Sequence, residues 1–113
     1  MSESRHIRLA GFTRLDRHEM ITKLRDALQS ASADLIDFQM FSNTAINLTF
    51  EMREMHLGRL ESALVSAGLA LDDESLEAMR MGGKTADILT GSLNVTFIHS
   101  EPDLRIPVPP IPG

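Results

Sequence analysis

A chain of 113 residues, 42% apolar and 24% charged, is long enough to fold as one domain around its own core and too ordinary in composition for a disordered segment. With no cysteine it has no disulfides, zinc–thiolate centres, iron–sulfur clusters or cysteine nucleophiles. A net charge of −5, with neither Trp nor Tyr and only five Phe, argues against nucleic acid or an anionic membrane as partner, since both reward clustered Lys and Arg and single strands also reward aromatic stacking.

Behind the charges of Met1-Ser2-Glu3-Ser4-Arg5-His6 there is no apolar run, and no stretch approaches the roughly 18–20 apolar residues of a membrane span. A cytoplasmic location is the expectation. Residues 7–12 alternate, with Ile7, Leu9 and Gly11 on one face, and predict a first strand. Asp16 stands at a helix N-cap, and Glu19 three residues later completes a capping-box pattern. From residue 17 to about 31, Met20 or Ile21, Leu24, Ala27, Leu28 and Ala31 share one helical stripe.

Residues 34–41 alternate, with Ile36, Phe38 and Met40 opposed to Asp37 and Gln39. Residues 45–52 alternate more cleanly, Ile46, Leu48, Phe50 and Met52 against Asn47, Thr49 and Glu51. The polar Ser42-Asn43-Thr44 between the two runs makes them a hairpin, in a sheet that is apolar on one face and polar on the other. A second helix is predicted over 55–67, burying Leu57, Leu60, Leu64 and Ala67 and ending at Gly68. Residues 69–92 are less regular and contain one short helix, 75–81, stopped by Gly82-Gly83. Residues 93–99 form the last predicted strand.

This order predicts an α+β, ferredoxin-like βαββαβ fold. Its four-stranded antiparallel sheet has the order 4-1-3-2, with two helices on one face and a helical insertion before the last strand. The shared Leu, Ala, Leu, Ser, Ala pattern of residues 23–31 and 59–67 suits two helices with one packing task, or a duplication. The domain is expected to occupy 1–103. Residues 104–113, rich in prolines that cannot donate to a helix or sheet, are expected to form an extended tail.

The loop from Gly11 to Glu19, with Asp16-Arg17 ahead of Leu24 and Leu28, resembles that of the ACT domain, a small-molecule-binding regulatory module. That family typically reads Asp-Arg-Pro-Gly-Leu/Val here; His18 and Glu19 stand in the Pro and Gly places, where the glycine lets a ligand approach closely. The resemblance covers roughly residues 7–71 and the last strand. It implies a non-catalytic regulatory homodimer that senses an amino acid or similar metabolite through Arg14, Leu15, Asp16, Arg17, His18 and Glu19. Independently of it, a helix N-terminus offers free N–H groups to an anion, while Asp16 and Glu19 are also accounted for as caps.

Other chemistry is less well supplied. The predicted topology carries His6, His56 and His99 toward one edge of the sheet, but no two histidines share the i, i+4 spacing of a helical metal pair, and neither metal nor cofactor is expected. Asp72-Asp73-Glu74 sit where acids favour a helix dipole. No nucleophile elbow, zinc-protease, phosphate-loop or dinucleotide motif occurs, so an enzyme is not expected; a dimeric ferredoxin-like barrel enzyme is the catalytic alternative. A sheet face of Gln39, Asn47, Thr49, Asn94 and Thr96, with Phe41 and Ile98 nearby, suits a two-fold dimer. An interaction or assembly domain without a small ligand is therefore the other reading.

Overall fold

The computed structural model describes residues 5–42, 44–82 and 85–98. Alternation builds its sheet. In β1 (Arg5–Thr13), Ile7 and Leu9 are buried while His6, Arg8 and Phe12 face away and are exposed. β2 (Asp34–Ser42) and β3 (Ala45–Arg53) form the expected hairpin, and β3 buries Ile46, Leu48, Phe50 and Met52. In β5 (Ile88–Phe97), Leu89, Leu93, Val95 and Phe97 point to the same core, with Gly91 among them.

The helices cover that apolar face. α1 (Arg17–Ser30) buries Met20, Leu24, Ala27 and Leu28, and α2 (Leu57–Ser66) buries Leu57, Leu60 and Leu64. Each such fully buried large side chain contributes about 1.5–3 kcal/mol, so the two stripes hold the helices on the sheet. Both helices end the same way. Ala33 N–H reaches the Leu28 carbonyl and Ser32 N–H that of Gln29; Leu69 and Gly68 repeat this on Leu64 and Val65. This is the Schellman cap, and it requires the left-handed backbone seen at Ser32 (φ 57°) and Gly68 (φ 99°).

The α+β class is the one expected; the strand order is not. The sheet has five strands in the order β2-β3-β5-β1-β4, where β4 is the short segment Ala70–Leu71. It is mixed: β5 pairs parallel with β1 and antiparallel with β3, whereas the order 4-1-3-2 would set the first strand beside the third. The reason lies in residues 70–81. β4 pairs antiparallel with the end of β1, and α3 (Asp73–Met81) follows it, bringing Gly82 against Leu57 and Glu54. That delivers the chain to the end of the sheet where β1 starts and β3 finishes, so β5 runs the same way as β1, with Arg5 opposite Leu89 and Arg53 opposite Ile88.

The last strand also begins at Ile88 rather than at residue 93, and the short helix begins two residues earlier than predicted, at Asp73. The proline-rich segment 104–113 lies outside the described residues.

Candidate functional site

The loop between β1 and α1 folds as a helix cap. Asp16 Oδ2 accepts a hydrogen bond from Glu19 N–H at 3.1 Å, as the spacing predicts. Thr13, buried at the end of β1, accepts from Leu15 N–H and donates its hydroxyl to the Gly68 carbonyl, tying the loop to the end of α2. Leu15 is half-buried beside Gly68, Arg17 is half-buried, and Arg14, Asp16, His18 and Glu19 are exposed. None of the three cavities described below is lined by any residue from 14 to 19.

A polar depression of about 500 Å³ opens instead on the helix-free face of the sheet. Register assembles it: Asn47 of β3 lies opposite Asn94 of β5, Asn94 opposite Ala10 of β1, and Arg8 opposite Ser92. The start of α3 forms its rim with Asp72, Glu74 and Ser75. Ser75 takes the place of a neighbouring strand. Its Oγ accepts from Ala10 N–H at 2.8 Å, while Asp72 N–H donates to the Ala10 carbonyl at 3.0 Å. Asp72 caps α3 by accepting from Ser75 N–H at 2.8 Å, and its hydrogen bonds from Ser75, that of the side chain before that of the backbone, hold its carboxyl below the usual value. The acids at 72–74 are thus helix-starting residues, as their position predicts, and two of them, Asp72 and Glu74, also border the cavity. The role of Arg8 beside them could not be read from its own strand; only pairing with β5 and the packing of α3 place it there.

At the end of the sheet where β1 starts, Glu54 is 3% exposed, and its Oε1 accepts from the Thr85 hydroxyl at 2.8 Å. Glu54 and His6 border a second cavity of about 320 Å³. The Nδ1 atom of His56 is buried with no described hydrogen-bond partner. β5 ends at Phe97 opposite Thr13, at the far end of the sheet from His6; His99 lies outside the described residues. Among the described residues, no group of three His, Asp or Glu side chains could hold a metal ion. The third cavity, about 330 Å³, is a shallow surface between α1 and α2 around Lys23 and Ser66.

The most unusual surface is β2. It closes one end of the sheet, and no described strand pairs with its outer edge. Bulges fall between Leu35 and Asp37 and between Met40 and Ser42, so the alternation predicted from the sequence is broken twice. Leu35, Phe38 and Met40 lie opposite the core residues Phe50, Leu48 and Ile46, yet only Phe38 is even partly buried. Phe38 packs against the edge of the core. With Ile36 53% and Phe41 61% exposed, four of the nine residues are large, apolar and open to solvent.

No family model matches the chain, and no curated protein or solved structure matches it either. Among the described residues no helix is long and apolar enough to cross a membrane.

Proposed function

We propose that the chain is a non-catalytic binding domain that works by assembling with a protein partner along β2. One observation carries this reading: a nine-residue edge strand exposes Leu35, Ile36, Met40 and Phe41 along an outer edge with which no described strand pairs. Soluble proteins usually blunt such an edge with Lys, Pro, charge or a cover, because it otherwise recruits another strand. β2 has no Lys, Arg or Pro; it carries the charges of Asp34 and Asp37 and two bulges, but each bulge inserts an apolar residue, Ile36 or Phe41, so the edge stays apolar. Contiguous exposed apolar surface of this kind marks interaction sites.

A photo-crosslinking residue at position 41, with a control at exposed His18, tests the reading in the producing cell. Protein adducts from position 41 and not from 18 are expected. Equal labelling from both, or none from 41, overturns it.

The depression on the open sheet face favours a second, compatible reading as a regulatory small-molecule site. Arg8 supplies a cation, Asp72 and Glu74 supply carboxylates, and Asn47 and Asn94 both donate and accept. That set suits a small amphoteric molecule such as an amino acid. The ACT resemblance would seat the same class of ligand at Arg14–Glu19. An amide-resonance titration with pooled amino acids separates the two, by shifts at Arg8 and Asn94 or at Leu15–Glu19. No saturable shift at millimolar concentration removes both.

A further inference from the structure

We infer that the partner of β2 is a second copy of this chain, paired antiparallel about a two-fold axis through Phe38. This rests on β2 being the assembly surface and names its occupant.

The argument comes from reading β2 against itself. A two-fold axis makes an interface from the same patch on both copies, so an edge strand meets itself antiparallel. Centred on Phe38, the strand Asp34-Leu-Ile-Asp-Phe-Gln-Met-Phe-Ser42 sets Ile36 opposite Met40 of the other copy and Leu35 opposite Phe41. Asp37 then faces Gln39, and Asp34 faces Ser42. Between the bulges Phe38 meets Phe38 and Asp37 meets a Gln able to donate to it, while the bulged Ile36 and Phe41 fall beside the apolar Met40 and Leu35.

Neighbouring registers lose this match. Centring on Asp37 puts the two Asp37 carboxylates face to face. A two-fold axis perpendicular to the sheet keeps each residue on its own face, so the next allowed register on the other side is centred on Gln39, which sets Asp37 opposite Phe41. Like charges directly opposite, or a carboxylate against an apolar side chain, destabilise a strand pair. The pattern therefore specifies one register among its neighbours, as register is specified wherever a strand has a face to bury.

The occupant also fits in position. The regular stretch between the two bulges, residues 37–40, supplies about four backbone hydrogen bonds around the axis, and the exposed apolar side chains of Leu35, Ile36, Met40 and Phe41 flank it. On the helical side the two half-buried Phe38 side chains meet at the axis, with the exposed Leu35 and Met40 of each copy on either side. The polar depression, on the other face and around β1, stays open.

The chain has no cysteine, so single cysteines report pairing without background. Opposed Cα atoms in an antiparallel pair lie about 4.5–5.5 Å apart, within the span of a disulfide. Phe38→Cys is expected to oxidise to a covalent dimer. Because Phe38 is half-buried and its loss affects stability, Asp37→Cys and Gln39→Cys, both exposed, provide the second test. An oxidised mixture of these two is expected to give the mixed dimer in about tenfold excess over the Asp37→Cys homodimer, the ratio that a preference of about 1.4 kcal/mol produces. Asp37→Cys linking to itself as readily overturns the register. A chain that sediments as a monomer up to millimolar concentration overturns the second copy. If position 41 then still crosslinks to another protein, only the occupant is wrong; if it crosslinks to nothing, β2 is not the assembly surface.

Discussion

The ring of Phe50 occupies the place where a side chain on Gly91 would stand: a Cβ built there would run into Phe50 Cζ and lie 2.6 Å from Cε1. The two residues are directly opposed in the β3–β5 ladder, so the ring covers the backbone of the neighbouring strand. Glycine in a strand interior ordinarily weakens it, and here it gives a fully buried Phe its space. Gly91→Ala forces the ring or the ladder to move and is expected to destabilise the fold by about 1–3 kcal/mol, measured by urea unfolding. Adding Phe50→Leu should recover part of that loss, and strictly additive effects would show that the ring is not the obstacle.

The matching helix ends give a prediction of opposite signs. Ser32 holds a left-handed backbone (φ 57°) that glycine adopts without strain, so Ser32→Gly should raise stability by about 1 kcal/mol. Gly68 holds the equivalent place (φ 99°), and a Cβ there would come 2.9 Å from Leu15 Cδ1. Gly68→Ala should cost about 1–2 kcal/mol, moderated because the tip of Leu15 can turn aside. Thermal unfolding of both variants checks the signs.

Ser75 closes the edge of β1 that β4 leaves uncovered after its two residues, through its Oγ, which accepts from Ala10 N–H. Ser75→Ala, at a buried position, should cost about 1–3 kcal/mol by leaving the Ala10 N–H without its acceptor. Hydrogen exchange at the Ala10 amide should rise by more than at Leu9. Equal changes at both would point to general loosening.

Asp72 adds a pH dependence. Its carboxyl is held below the ordinary 3.8 by hydrogen bonds from Ser75, so the folded state binds a proton less readily than the unfolded chain. The resulting stability is present above the unfolded value and is lost as pH falls through the lower folded value. The difference between wild type and Asp72→Ala should therefore be constant near neutrality and shrink on acidification below about pH 4. Paired urea titrations across that range check it, and a difference that grew on acidification would reverse the assignment.

Much of this fold is legible in the residues. The clean alternation of β3, the Asp16–Glu19 cap and the stripes of α1 and α2 each follow from local spacing, and tertiary packing leaves them intact. The start of β5 is hidden because Thr90-Gly91-Ser92 reads as a turn until Phe50 is known to cover Gly91. Strand order is hidden for a longer-range reason: the direction of β5 depends on β4 and α3 descending beside β1, anchored by Ser75 on Ala10. The open-face depression needs the registers of three strands at once to bring Arg8, Asn47 and Asn94 together. β2 misled in another way. Its alternation implies a buried face, but on that face only Phe38 packs against the core, and Leu35 and Met40 are left exposed.

Charge bears on the proposed dimer in a way that salt can test. Each chain carries −5, and pairing brings Asp34 and Asp37 of both copies to one seam. The contacts across that seam are apolar pairs and backbone hydrogen bonds, which salt weakens little, whereas the repulsion is between solvent-exposed charges and is screened. Raising ionic strength from about 0.01 M to about 0.15 M shortens the Debye length from about 30 Å to about 8 Å. The dimer should tighten over that range, with a dissociation constant lower by roughly threefold to tenfold in sedimentation equilibrium. Asp37→Asn should flatten the dependence, because it removes one charge per copy while keeping the partner of Gln39. A dimer that weakens with salt would be held by opposite charges elsewhere on the surface, and β2 would not be its seam.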